Sequence, residues 1–117
     1  MSGSCSYHAG LAAEDQVAEL YQRNGRAVTH RRWRGKGGEI DLVARDGDDV
    51  VFIEVKKSRD FARAAESLSS RQMRRIWAAA SEFLAGEPLG QMTPSRFDVA
   101  LVNGVGQIDV IENAFAA

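Results

Sequence analysis

Residues 38–56 read GEIDLVARDGDDVVFIEVK, and this stretch decides the fold. It contains two short apolar runs, 39–44 and 50–56, which are separated by Asp46, Gly47 and two further aspartates. Aspartate followed by glycine between two runs of strand-forming residues predicts a β-hairpin. Both predicted strands also carry acidic residues where a strand normally stays apolar, and these acids need an explanation.

Alternation along each strand assigns the charged side chains to faces of the predicted sheet. Successive side chains point to opposite faces, so Glu54 and Lys56 share a face with Phe52, whereas Asp41 shares a face with Val43. Two residues of strand rise separate the backbones of Glu54 and Lys56 by roughly 6 to 7 Å. A carboxylate and an ammonium group at this spacing can hold one metal ion and one water molecule between them.

Asp41 and Glu54 are therefore predicted to be a metal-ligand pair. Two carboxylates, a backbone carbonyl and water molecules can complete the octahedral oxygen shell of Mg²⁺ or Mn²⁺. Phosphodiester cleavage needs such a metal and a group that positions the attacking water, and Lys56 is expected to orient that water or to stabilise the developing charge. The alternative is an ordinary exposed strand face, although aspartate is disfavoured within strands.

The rest of the chain predicts helices and strands around this hairpin. Apolar residues at helical spacing predict helices over 9–24 and 69–84. Runs of strand-forming residues predict strands over 26–34, 96–102 and 107–112. We expect one domain spanning all 117 residues, with an α/β fold in which a small mixed β-sheet is flanked by helices.

Three further features are each open to two interpretations. The glycine-rich loop of residues 35–38 permits the close approach of a ligand, or it is a flexible connector. Glu14, at the edge of the first helix's apolar stripe, reaches a site at the rim of the sheet, or it stabilises the dipole of an early helical turn. Trp33 stacks on a nucleic-acid base, or it packs against the sheet, and packing is favoured.

Charge is distributed unevenly along the chain. The net charge of −1 argues against a strongly basic nucleic-acid binder, yet residues 31–75 contain twelve basic and eight acidic residues. Residues 76–117 contain one basic and five acidic residues. The middle of the chain is thus suited to face a polyanion. The predicted nucleic-acid-binding residues are Arg32, Arg34, Lys36, Lys57, Arg59, Arg71, Arg74 and Arg75, the last three forming a helical stripe that is alternatively a solvated face.

Composition places the protein among soluble globular proteins. Hydrophobic residues make up 44% of the chain, no apolar run is long enough to span a membrane, and the first residues lack the pattern of a signal peptide. We therefore expect a cytoplasmic protein without a membrane partner. Cys5 is expected to lie in a frayed terminus, and neither Cys5 nor the pair His8 and His30 has the spacing of a metal site.

The acidic hairpin resembles the core of a known nuclease superfamily. Asp41 followed by Glu54-Val55-Lys56 at the end of an apolar strand is similar to the D…ExK core of the restriction-endonuclease-like, or PD-(D/E)XK, nucleases. Over nearly its whole length the chain also resembles the YraN-type family of uncharacterised bacterial proteins. The residues that carry this second resemblance are Glu14, Arg32-Trp33-Arg34, Gly38-Glu39-Ile40-Asp41-Leu42, Phe52-Ile53-Glu54-Val55-Lys56, Arg96-Phe97-Asp98-Val99 and Asn113-Ala114-Phe115.

The resemblance implies a restriction-endonuclease-like fold of the Holliday-junction-resolvase type and a nuclease-type site. Carried over position by position, the resemblance implies that Asp41 and Glu54 are metal ligands. It further implies that Lys56 is the catalytic lysine and that Glu14 is an additional acid from the first helix. Asp98 lies away from this core and is expected to make a structural hydrogen bond or salt bridge.

The function predicted from these features is that of a Mg²⁺- or Mn²⁺-dependent endonuclease acting on DNA, with branched and single-stranded forms as candidate substrates. A junction-cutting enzyme needs two sites, which would make it a homodimer. Two alternatives stay open. One is a non-catalytic nucleic-acid-binding module on the same fold, and the other is a small interaction protein that dimerises through its hairpin edge.

Overall fold

The computed structural model describes residues 2–114, with side chains described from residue 12 onward. The elements in chain order are α1 (Ser2–Arg23), β1 (Ala27–Arg34), β2 (Glu39–Asp46), β3 (Asp49–Lys57), α2 (Phe61–Glu66), α3 (Ser70–Leu84), β4 (Ser95–Val102) and β5 (Ile108–Ile111). A short 3-10 turn, Gly90–Met92, precedes β4. No helix within these described residues is both long and apolar enough to cross a membrane.

The five strands form one mixed sheet in the order β1-β2-β3-β4-β5. Neighbouring strands are antiparallel except β3 and β4, which run parallel. A parallel pair needs a crossover connection, and the segment between β3 and β4 supplies it with α2 and α3. The predicted fold class is confirmed: the chain is an α/β protein whose small mixed sheet is flanked by helices, consistent with a restriction-endonuclease-like core.

Helices cover both faces of the sheet because each carries one apolar face. On one side, α1 buries Val17 and Tyr21 against sheet residues that include Ile53. On the other side, α3 buries Ile76 and Phe83 in a cluster that also contains residues of the three central strands and of α2. The two cores lie back to back across the hairpin, which is why β2 and β3 read as nearly continuous apolar runs.

Trp33 packs in the core on the α3 side. Its ring meets that of Phe83 edge to face, with centroids 5.3 Å apart, and the side chain is half-buried in the same cluster. Edge-to-face contact is a preferred geometry for aromatic pairs. The contact agrees with the favoured interpretation of Trp33 as a sheet-packing residue.

Asp98 is buried and ties α1 to β4. Its carboxylate accepts hydrogen bonds from the Tyr21 hydroxyl at 2.7 Å, from the backbone N–H of Asn113 at 3.0 Å and from Arg96 Nε at 3.1 Å. Burial and the bond to Asp98 raise the pKa of Tyr21. As expected from the sequence, Asp98 makes a structural hydrogen bond and a salt bridge.

The helices differ from the sequence-based prediction at two points, the start of α1 and the presence of α2. The first helix begins at Ser2 and not at residue 9, so the expected frayed terminus is helical in backbone. The side chains of Cys5 and His8, and all of Phe115, lie outside the described residues. The short helix α2 was not predicted, because its six residues are too few to show helical periodicity. Its only local signal is Asp60, whose side chain accepts the Arg63 N–H at 2.9 Å as an N-cap.

The glycine-rich loop lies against α3, a contact that neither interpretation from the sequence included. A Cβ added to Gly38 would lie 2.7 Å from the Arg75 carbonyl oxygen, and one added to Gly37 would lie 2.8 Å from the Ala78 Cβ. A Cβ on Gly35 would overlap the Glu82 carboxylate. These glycines permit a close approach, but the partner is the protein's own helix.

Candidate active site

The hairpin brings Asp41 next to Glu54 at the place where β2 and β3 stop pairing. The pairing of the two strands runs from the turn to Leu42 opposite Ile53 and ends there. Beyond this point, Asp41 Oδ2 accepts a hydrogen bond from the backbone N–H of Val55 at 2.8 Å. A side chain thus satisfies a strand donor that lies past the end of the backbone pairing, and this bond accommodates an aspartate within a strand.

Glu54 is buried, with 7% of its surface exposed. Its Oε1 atom lies 3.5 Å from Lys56 Nζ, so the predicted shared face of these two residues is confirmed by a direct ion pair. The same Oε1 atom accepts a hydrogen bond from Gln72 Nε2 at 2.9 Å. Two donors therefore converge on one oxygen of Glu54, which fixes the orientation of the carboxylate.

Gln72 belongs to the site, although it was not among the site residues predicted from the sequence. It lies in the first turn of α3, where the Ser69 side chain caps the helix by accepting the Gln72 N–H at 3.1 Å. A polar residue in a first helical turn is unremarkable in a sequence. Its role follows only from the packing of α3 over the end of β3, which no local pattern reports.

Burial makes the acidic pair electrostatically unusual. Burial and then the charge of Asp41 raise the pKa of Glu54 well above its ordinary value, although Lys56 opposes the effect. Burial also raises the pKa of Asp41, and the Val55 N–H opposes that rise. One buried and one partly buried carboxyl group with a single ammonium neighbour favour either an added proton or an added cation.

Glu14 lies at the rim of the site on the α1 side. Its Oε2 atom accepts a hydrogen bond from Arg32 Nε at 3.2 Å. Burial and the charge of Asp41 raise the pKa of Glu14, so the acid is within electrostatic reach of the pair. Because α1 begins at Ser2, Glu14 is far from the first turn, and the helix-dipole interpretation was wrong.

Among the described residues of the site, the side chains suited to ligate a metal ion are those of the acidic pair. No group of three or more histidine, cysteine, aspartate or glutamate side chains in the described part of the chain is arranged to hold a metal ion. Mg²⁺ commonly binds through only one or two carboxylates and keeps water or substrate phosphate in its other positions. Asp41 and Glu54 fit that pattern, and Glu14 stands outside it.

An open groove of about 840 Å³ lies above the acidic pair. One wall is formed by Arg34 at the end of β1 and by the loop that carries Lys36, and the other is the N-terminal half of α3 with Arg71 and Arg75. Arg34 forms an ion pair with Glu39 at 3.2 Å. The other three basic residues form no ion pair with a described residue. The groove thus combines an acidic floor with basic walls.

Four of the eight predicted nucleic-acid-binding residues do not line this groove. Arg32 is engaged by Glu14, as described above. Lys57 is exposed at the end of β3, and Arg59 is exposed just after it. Arg74 is exposed on α3 but turned away from the groove lining. The basic stripe of α3 is therefore split, with two of its three arginines on the groove.

A family model described as "Uncharacterised protein family UPF0102" matches residues 13–102, which include the acidic pair, Lys56 and Gln72. The chain belongs to the UPF0102 family. This result confirms the resemblance to the YraN-type proteins that was drawn from the sequence. The region matched in this UPF0102 protein spans everything from the buried part of α1 to the end of β4.

Curated relatives of this UPF0102 protein match over nearly their full length. A UPF0102 protein of Cereibacter sphaeroides strain ATCC 17025 is 68% identical over 117 residues, covering 100% of both chains. One of Ruegeria pomeroyi is 63% identical over 113 residues, covering 97% of this chain and 92% of the relative. One of Dinoroseobacter shibae is 45% identical over 111 residues, covering 95% and 83%.

Proposed function

We propose that this UPF0102 protein is a Mg²⁺-dependent endonuclease that hydrolyses phosphodiester bonds in DNA. The observation that carries the proposal is the Asp41–Glu54 pair, in which Glu54 is buried and in contact with Lys56, on the floor of a groove with basic walls. A nucleic-acid backbone is the polyanion that such a groove suits. Branched and single-stranded DNA are the first substrates to test.

The acidic pair supports a divalent cation on chemical grounds. The two carboxyl groups have raised pKa values and share one ammonium neighbour, so an added cation would relieve their repulsion. Bound there, Mg²⁺ would neutralise charge on the scissile phosphate and favour attack by water. Asp41 and Glu54 would hold it, leaving the remaining positions to water and phosphate oxygens.

The other groups of the site have separate tasks in this proposal. Lys56 stands beside Glu54, where an ammonium group can orient the attacking water or stabilise charge that develops on the phosphate. Gln72 holds Glu54 in place through the bond to Oε1. Arg71 and Arg75 on one wall, and Lys36 on the other, are suited to hold the phosphates that flank the cleaved bond.

The proposal is tested with a cleavage panel of linear, single-stranded and branched DNA, and the same forms of RNA, in Mg²⁺ or Mn²⁺. The wild-type protein is expected to cut at least one DNA, whereas Asp41→Ala, Glu54→Ala and Lys56→Ala remain folded and inactive. Metal-dependent cutting that survives all three substitutions would rule the site out. Salt-sensitive DNA binding without cleavage in any divalent metal would instead identify a non-catalytic binding module.

A further inference from the structure

The glycine-rich loop is held on α3 by a carboxylate that belongs to the helix. Glu82 Oε2 accepts the backbone N–H of Lys36 at 2.7 Å, and Glu82 Oε1 accepts the N–H of Gly37 at 2.8 Å. Within the loop, the N–H of Gly35 donates to the Gly38 carbonyl at 2.9 Å. Successive backbone N–H groups that converge on one anion form a strong local contact.

The loop follows a single face of α3. Its glycines contact Arg75, Ala78 and Glu82, which are spaced three and four residues apart and so lie above one another on the helix. Arg71 is four residues before Arg75 and continues the same face toward the N-terminus of α3. The loop therefore covers the C-terminal half of this face, whereas the N-terminal half is uncovered and lines the groove.

The contact between the glycine-rich loop and α3 fixes the position of one wall of the groove. Lys36 belongs to the loop and Arg34 is the last residue of β1, directly before it, whereas Arg71 and Arg75 belong to the helix, and all four line the groove. A segment with three glycines in four residues has little conformational preference of its own. Its fixed position depends on the Glu82 carboxylate together with the tight glycine contacts.

We propose that Glu82 is a positioning residue for polyanion binding, which clamps the loop on α3 so that Arg34 and Lys36 face Arg71 and Arg75 across the groove. The inference rests on the proposed function, because DNA is the polyanion. Loss of the clamp would leave the loop to be ordered only when the ligand binds. Ordering at the interface costs affinity, so a preformed wall binds more tightly than a mobile one.

Electrostatics and clamping make opposite predictions for Glu82. Removing an acid beside a basic groove strengthens polyanion binding if only charge matters. We expect Glu82→Ala to weaken binding, because both loop N–H groups lose their acceptor. Glu82→Gln also removes the charge but keeps one acceptor oxygen, so it can still hold one of the two N–H groups.

The experiment measures affinity for labelled single-stranded and branched DNA by fluorescence anisotropy in EDTA, where no metal-dependent cleavage occurs. Glu82→Ala is expected to weaken binding by about 3- to 10-fold, and Glu82→Gln by less. Glu19→Ala is the matched control, because this exposed acid lies on α1, which packs on the other face of the sheet. It is expected to bind as the wild type does, or more tightly.

Amide hydrogen exchange at Lys36 and Gly37, followed by NMR, reports the clamp without DNA. Faster exchange at both amides in Glu82→Ala, together with weaker binding, supports the inference. If exchange is faster but binding is unchanged or tighter, the inference is overturned and the proposed function stands. Unchanged exchange at both amides has the same two consequences. Failure of the wild-type protein to bind any DNA overturns both. If Glu82→Ala does not fold, Glu82→Gln decides alone, and tighter binding by that variant contradicts the clamp.

Discussion

Gln72 of α3 donates a hydrogen bond to Glu54 of β3 over 2.9 Å, so a helix on one face of the sheet orients a carboxylate of the candidate active site. The donor occupies the first turn of α3, where the Ser69 cap fixes the backbone. The orientation of Glu54 therefore depends on how α3 docks on the sheet. This relationship can be tested apart from the acids themselves.

Gln72→Ala is expected to lower Mn²⁺ affinity by about 10-fold, because residues that orient a metal ligand commonly contribute that much. The thermal midpoint should change little, since Gln72 is only partly buried. Isothermal titration calorimetry measures the affinity. Gln22→Ala, which removes an exposed glutamine from α1, is the control. Equal Mn²⁺ affinity in both variants and the wild type would remove Gln72 from the site.

The raised pKa of Glu54 makes the stability of the metal-free protein depend on pH. Because the folded protein binds this proton more tightly than the unfolded chain does, stability falls as pH rises from the ordinary carboxyl range toward the raised pKa. Glu54→Gln, which cannot ionise, should therefore have a higher melting temperature than the wild type at about pH 9, with a smaller difference at about pH 5. Thermal unfolding in EDTA measures both, and a difference that grows at low pH would contradict the sign.

Gly38→Ala is expected to destabilise the protein by about 1 to 3 kcal/mol, since a Cβ there would lie 2.7 Å from the backbone oxygen of Arg75. Denaturant unfolding measures the loss. Gly86→Ala is the matched control, because its Cβ would meet the nearest atom at 3.5 Å, an ordinary contact. A Gly38→Ala protein as stable as Gly86→Ala would show that the loop does not pack closely on α3.

Asp98→Ala is expected to lower stability by roughly 2 to 4 kcal/mol, because the Tyr21 hydroxyl and the Asn113 N–H lose their acceptor, whereas Arg96 keeps its bond to Asp46. Asp109→Ala, at an exposed position of β5, should change stability by less than about 0.5 kcal/mol. Urea unfolding of both variants gives the comparison. A small loss in Asp98→Ala would mean that the buried network contributes little to the fold.

Much of the fold is predictable from the sequence because the central elements have clear periodicity. The hairpin of β2 and β3 follows from the two apolar runs on either side of Gly47, and α3 follows from its apolar stripe. The parallel pairing of β3 with β4 was not predicted, since no local pattern states which strands become neighbours. The helix α2 is too short to show a period.

The candidate site was predictable where the chemistry lies within one hairpin, as for Asp41, Glu54 and Lys56. It was not predictable where residues from distant elements meet. Gln72 reaches Glu54 through helix packing, and Glu82 reaches the glycine-rich loop across 45 residues or more. Contacts of this kind depend on tertiary structure and have no sequence period of their own.

The central claim is that Asp41 and Glu54 form a metal site, and Mn²⁺ titration by isothermal calorimetry tests it most directly. Asp41→Asn keeps the shape of the side chain and an oxygen that can accept the Val55 N–H, but it removes the negative charge. Asp15→Asn, at an exposed position of α1, is the control. The wild type and Asp15→Asn are expected to bind Mn²⁺ equally, and Asp41→Asn at least about 10-fold more weakly. Equal affinity in all three proteins would contradict the metal site.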